Sequence, residues 1–243
     1  MGTRIAGIQP GYLPWLGYFD QMLQVDAFLI ADELQFTTSG WAHRNRVRGP
    51  HGAHWLTIPT RPRKGQTIAE VEIERSAPWH KTHLRTLRHF YSASAHARDA
   101  LDEIAAVIAP DARLLVEASI PTIRHLAERL GVATPILRSS DLGLEARYRA
   151  EFPEAPSATH RIIAYLKALG ADELLEGEAG NAYLDLELCA RHGVRVRFHH
   201  YRHPVYPQMF EPFVSHLSAV DLLLACGAHE ARRVLRSVQA EVV

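Results

Sequence analysis

Apolar positions alternate along the chain between short runs and helical stripes. Ile5, Ala6 and Ile8 make a short run closed by Pro10-Gly11, where proline fixes φ and glycine frees it, so a strand ending in a tight turn is expected. A second run, Ala27-Phe28-Leu29-Ile30-Ala31, follows after room for one short helix. His54-Trp55-Leu56-Thr57-Ile58 reads as a strand stopped at Pro59. Ile68, Val71 and Ile73 read as a short half-exposed strand with one irregularity, an antiparallel side element. From 78 to 91 the period turns helical: Leu84, Leu87 and Tyr91 recur at helical spacing, with His83 one turn from Leu87. Helical patterns continue over 99–108 and 112–130, the second interrupted near Pro121 and ended by Gly131.

The last third carries the architecture. A strand at 135–137, a helix at 160–169 capped from 157–159, a strand at 174–177, a helix at 183–192 and an alternating strand at 194–198 follow one another, with Gly170 and Gly193 closing the helices. This order predicts an α/β, Rossmann-like fold with a mostly parallel sheet and right-handed crossovers. The expected organisation is a single domain over 1–243 with a helical insert or layer at about 78–132. Ser218-x-x-Asp221 reads as a capping box that opens a helix running through Cys226 and stopped by Gly227.

Composition narrows the class. Lys+Arg and Asp+Glu both number 27, so the chain as a whole is not built to coat nucleic acid. No apolar run reaches the ~20 residues of a membrane helix, and no basic flank with an apolar core marks a signal peptide. Cys189 and Cys226 are too few for a disulfide framework. A cytoplasmic protein without nucleic-acid partner or membrane insertion is expected. The charge is uneven, however: no carboxylate lies between Leu34 and Ala69, where Arg44, Arg46, Arg48, Arg61, Arg63 and Lys64 fall. That stretch is either a solvated loop or an anion site of the kind arginine forks build.

Candidate chemistry gathers near the start. The turn after the first strand holds Tyr12, Trp15, Tyr18 and Phe19, and the residues after the second strand (Asp32, Gln35, Trp41, Arg44, Asn45, Arg46) read as a polar loop. Loops at the carboxyl ends of parallel strands are where α/β proteins hold ligands, so this is the candidate active site. His83 is either a general base or a histidine packed in the helix layer. Asp20 and Asp32 could orient a substrate amine or a histidine, or be a solvated helix residue and a strand-end cap. Tyr201, His203, Tyr206 and Gln208 form a later polar-aromatic stretch, either part of the same cleft or a surface loop. Among the fifteen histidines only His80 and His83 have helical ligand spacing, with no Cys or carboxylate to complete a set, so no metal is expected. Ser218 lacks a Gly-x-Ser-x-Gly elbow, and neither a Walker A loop nor Gly-x-Gly-x-x-Gly occurs, so the sequence identifies no cofactor.

Ile8-Gln9-Pro10-Gly11-Tyr12-Leu13-Pro14-Trp15, then Gly17-Tyr18-Phe19-Asp20, resembles the opening signature of the WbqC-like family. Gln35, Trp41 and Arg44-Asn45-Arg46, then Trp79, His83 and Tyr91, then Gly170, Tyr183-Leu184-Asp185, Tyr206-Pro207-Gln208 and Leu217-Ser218-x-x-Asp221 fit its later elements, nearly end to end. The chain departs from the common pattern at Gly40-Trp41-Ala42-His43 and Leu222-Leu223-Leu224-Ala225, which means a different acceptor or repacking. The resemblance implies a bacterial accessory protein of polysaccharide gene clusters, O-antigen clusters included. It implies an acyl or aminoacyl (for instance glycyl) transferase or ATP-dependent ligase acting on an amine of a sugar or small metabolite, in polysaccharide or natural-product biosynthesis. The substrate would be an amino sugar, an amino acid or a nucleotide-linked molecule. His83 and Asp20 would then be catalytic, and Gln9, Tyr12, Trp15, Tyr18, Gln35, Trp41, Arg44, Asn45, Arg46, Trp79, Tyr91, Tyr183, Tyr206 and Gln208 would bind substrate. The alternative is a non-catalytic sugar- or nucleotide-binding accessory protein. Adenylate-forming nucleotidyltransferase-like folds are a looser analogy, but Trp15-Leu16-Gly17-Tyr18 has no histidine where those folds bind triphosphate.

Overall fold

Strand β1 (Arg4–Ile8) pairs in parallel with β2 (Ala27–Ile30), Ile5 opposite Ala27 through Ile8 opposite Ile30. The connection is α1 (Leu16–Leu23), in which Leu16, Tyr18, Phe19 and Met22 are all buried, so the helix is held by packing on the sheet. The computed structural model describes residues 2–108, 110–154, 157–237 and 241–242. After β2 the chain leaves the sheet. It makes the antiparallel hairpin β3 (Arg44–Gly49) and β4 (Gly52–Thr57), then a two-residue pairing of β5 (Thr60–Arg61) with β6 (Glu72–Ile73). Arg44, Asn45 and Arg46 therefore stand on a strand, where the alternation of charge had masked β pattern and a loop was expected. The expected strand over 68–73 is mostly a 3-10 turn, Ile68–Glu70.

Helices α2 (Trp79–Phe90), α3 (Ala97–Val107) and α4 (Leu115–Arg129) follow. Pro121 does not interrupt α4, whose buried Ala118, Thr122, Ile123 and Leu126 hold the helix on the core. The chain returns to the sheet as β7 (Ile136–Arg138), α5 (Leu144–Glu151), α6 (Ala158–Ala168), β8 (Glu173–Gly177), α7 (Leu186–Arg191) and β9 (Arg195–His200). Helix α5 carries no sequence signal strong enough to be expected. The expected helix from 183 begins only at Leu186, capped by Asp185 on the Leu188 N–H.

Strands β9, β8, β1, β2 and β7 lie side by side in that order, all parallel, an α/β Rossmann-like sheet. Glu241–Val242 (β10) add an antiparallel pairing on β9. One face of the sheet, through Ala6, Phe28, Ile30 and Leu175, shares a core with α1, α2, α3, α4 and α8 (Ala219–Ser237). The other face, through Ile5, Leu29 and Leu174, packs on α5, α6 and α7. Gly227, at φ +77°, kinks α8. No helix among the described residues is long and apolar enough to cross a membrane. Successive connections run outward from β1 through β2 and β7, then jump back across β1 to β8. The carboxyl ends of β1 and β8 thus flank the topological switch point, where such sheets open a crevice.

Candidate functional site

The aromatic turn after β1 is fastened from both sides. The Tyr12 N–H donates to Ala42 O at 3.1 Å, and the Ala219 N–H to Pro14 O at 2.8 Å. Asn45 Nδ2 donates to Leu13 O at 2.8 Å while its Oδ1 accepts from the Arg46 N–H at 2.8 Å. The Ser218 N–H donates to Arg46 O at 2.8 Å, so the start of α8 is sewn to β3. Within this framework Leu13 is held at φ +46° and His216 at φ +57°, backbone positions that non-glycine residues occupy only when surroundings dictate it.

The result is a cavity of about 290 Å³ at the end of β1, lined by Ile8, Gln9, Gly11, Pro14, Trp15, Tyr18, Trp41, Asn45, Arg46 and His216. Trp15 is edge-on to Tyr201 and stacked on His216, which stacks in turn on His203. On the opposite wall the Arg46 guanidinium lies 5.5 Å from the ring centres of both Trp41 and Trp55, within cation–π range. Arg46 Nε is buried without a hydrogen-bond partner among the described residues. A buried guanidinium N–H left unpaired costs free energy, so an acceptor supplied from the cavity would stabilise it. His216 Nδ1 lies 2.8 Å from Ser215 Oγ; the side chain is open to solvent on one side, and partial desolvation against the cavity wall, then the neighbouring Arg46, push its pKa below the usual value. The imidazole is accordingly neutral at pH 7 and able to take a proton.

Six of the sequence candidates meet here: Gln9, Trp15, Tyr18, Trp41, Asn45 and Arg46. The others are distributed elsewhere. Arg44 donates to Gly40 O and Ser39 O and lies 4.6 Å over Trp55, behind the cavity wall. Gln35 is on the surface, bridged to Thr67. His83 is buried. Its Nδ1 is 3.0 Å from the Tyr12 hydroxyl and its Nε2 is 3.2 Å from Thr57 O. A carbonyl accepts only, so Nε2 carries the proton and Nδ1 accepts from Tyr12. Desolvation draws His83 down to about 4, and Trp79 packs edge-on against it. Both ring nitrogens are spent on the fold, so the histidine pins α2 to the aromatic turn.

Tyr91, Tyr206 and Gln208 converge on the fully buried Asp221. The Arg48 N–H donates to the same carboxylate at 2.9 Å. Asp221 is therefore no capping-box partner of Ser218: its oxygens are turned inward, where they tie the 203–217 segment to β3 and α2. Asp20 accepts from His199 Nε2 at 2.5 Å, with Tyr201 stacked on that imidazole, under the Trp15 wall. Asp32 binds Ser139 Oγ, Ser140 Oγ and Arg138 Nε, closing the ends of β2 and β7 together. Tyr183 stands across the sheet on the rim of a second groove. No three His, Cys, Asp or Glu side chains among the described residues gather as a metal site would require.

His216 is the residue sequence reasoning missed. Its only sequence signal is its place directly before Leu217-Ser218, whose own pattern predicts no more than a helix cap.

Among known proteins, the chain is 30% identical over 237 residues to an uncharacterised protein of Mycobacterium tuberculosis (strain ATCC 25618 / H37Rv), Rv1507c, with 96% of this chain and 97% of that one aligned. The profile of the WbqC-like protein family matches residues 9–233, which takes in the aromatic turn, β3 and the start of α8. By that match the chain belongs to the WbqC-like protein family.

Proposed function

We propose that the tryptophan-lined cavity binds the amine-bearing acceptor of an acyl or aminoacyl transfer, a sugar or small metabolite that also carries a carboxylate or phosphate. The observation that carries this reading is the Arg46 guanidinium, held against the paired rings of Trp41 and Trp55 with Nε unsatisfied. Aromatic faces suit the apolar face of a sugar ring, Gln9 and Asn45 supply polar contacts at the wall, and the guanidinium supplies the counter-charge. His216, neutral and lining the same cavity, is the group suited to take the proton that an attacking amine sheds as its nitrogen bonds to the acyl carbon of an activated donor, whose leaving group departs with the electrons of the bond that breaks. His83, the base expected from sequence, has no free nitrogen for that task.

The test pairs two variants with free and nucleotide-linked amino sugars and an aminoacyl donor, with amide product read by mass spectrometry. Arg46→Met should weaken acceptor binding roughly 10- to 100-fold, the loss of one charge-assisted contact. His216→Asn should lower kcat by about 100-fold or more while KM changes little. Turnover unchanged in both variants refutes the assignment. Acceptor binding that depends on Arg46 without any turnover in the wild type favours the non-catalytic binding role.

A further inference from the structure

We propose that the groove on the opposite face of β1 is a second ligand site, shaped for a planar heteroaromatic ring of nucleobase size. This groove, about 300 Å³, lies between the sheet and α6. Its floor is Ile5, Gly7, Leu29 and Leu174, its wall is Ile162, Tyr165, Leu166 and Leu169, and Glu176 and Tyr183 stand at its end.

Gly7 is the telling residue. It sits inside the central strand, where glycine costs about 0.5–1 kcal/mol relative to a residue with a side chain. Nothing in the fold asks for it. It is not among the glycines with positive φ, and an added Cβ would meet its nearest neighbour, Leu29, at 3.8 Å, an ordinary contact. A strand glycine that neither backbone conformation nor packing explains marks a place where something else approaches the backbone closely. What it preserves here is a flat bare patch of peptide in the middle of an apolar floor, at the switch point of the sheet.

Flatness favours a ring over a chain, and the polar end of the groove favours a heteroaromatic one. One Glu176 oxygen accepts from the Gly177 N–H at 2.9 Å, and the Tyr183 phenol stands beside the carboxyl. Burial raises the pKa of Glu176, and its carboxyl oxygens together with the Tyr183 phenol set acceptors beside a donor at the end of the groove, matching the paired donor and acceptor on a base edge. An alkyl chain would add no polar contact to that carboxyl beyond those it already makes with Gly177 and Tyr183. The groove and the tryptophan cavity sit on opposite faces of neighbouring residues, Gly7 and Ile8, so the two sites can be filled together.

The experiment is isothermal titration of the full chain with adenosine, AMP, uridine and octanoate, repeated on Gly7→Val and Arg46→Met. Adenosine or uridine should bind. Gly7→Val should keep or raise the urea midpoint of unfolding while weakening the nucleoside at least about tenfold, and Arg46→Met should leave it unchanged. Should Gly7→Val fail to fold, Ile162→Trp fills the groove from the helix side and should give the same loss. Octanoate binding without any nucleoside, silence toward all nucleosides at about 5 mM, or full affinity in the groove-filling variant would each overturn the proposal. Because Arg46 serves only the other cavity, failure here is distinguishable from failure of the acceptor site.

Discussion

Consider replacing His83 with Gln and following stability against pH. In the fold the imidazole is buried between Tyr12 and Thr57, and its pKa falls to about 4 from an ordinary value of 6.5. A histidine depressed on folding favours the native state while neutral in both states, above about pH 6.5. That contribution is lost as the pH drops toward 4, because the unfolded chain takes up the proton first. A shift of about 2.5 units at 1.36 kcal/mol each corresponds to roughly 3 kcal/mol, a large share of the 5–15 kcal/mol that holds a domain together. Urea denaturation followed by tryptophan fluorescence at pH 7, 6, 5 and 4.5 would measure it. His43, His125, His203 and His216 are depressed too, so the wild-type slope alone is not diagnostic. The informative quantity is the stability of wild type minus His83→Gln, which should fall by about 2 kcal/mol or more from pH 7 to 4.5. A difference that stays flat would mean that His83 titrates normally and is open to solvent. The pinning role derived for it would then be wrong.

Two further outcomes follow from the buried polar groups. Asp221→Ala orphans the Arg48 N–H and the hydroxyls of Tyr91 and Tyr206, and should cost roughly 3–5 kcal/mol in denaturation experiments; a loss below about 1 kcal/mol would mean that water replaces the carboxylate freely. Asn45→Ala removes the tie to Leu13 O and should cost about 1–3 kcal/mol, with faster amide exchange in the aromatic turn than elsewhere; exchange unchanged in 11–15 would sink that role.

The parallel sheet was readable because it rests on local pattern. Runs such as Ala27–Ile30 are apolar and too short between polar flanks to make a helix, which leaves a buried strand, and Gly170 and Gly193, both at positive φ, close helices. The second strand of the side hairpin was readable in His54–Thr57, but the first was not, since Arg44-Asn45-Arg46 alternates charge with one amide and offers no apolar face until Asn45 is seen to cap Leu13. Helix α5 has only Leu144 and Tyr148 facing the core, too little for a stripe.

For the site, composition and order alone put Trp15, Trp41 and Arg46 in one candidate set. Only the folded chain could split that set. Tyr91, Tyr206 and Gln208 turn inward to a buried carboxylate, while Gln9, Trp15, Trp41 and Arg46 open on a cavity. The reason is physical: residue type fixes what a side chain can bond to, but burial and direction come from segments distant in sequence. His216 is the clearest case, for it reaches the cavity only because Arg46 and Trp15, some 170 to 200 residues earlier, hold the start of α8 against them.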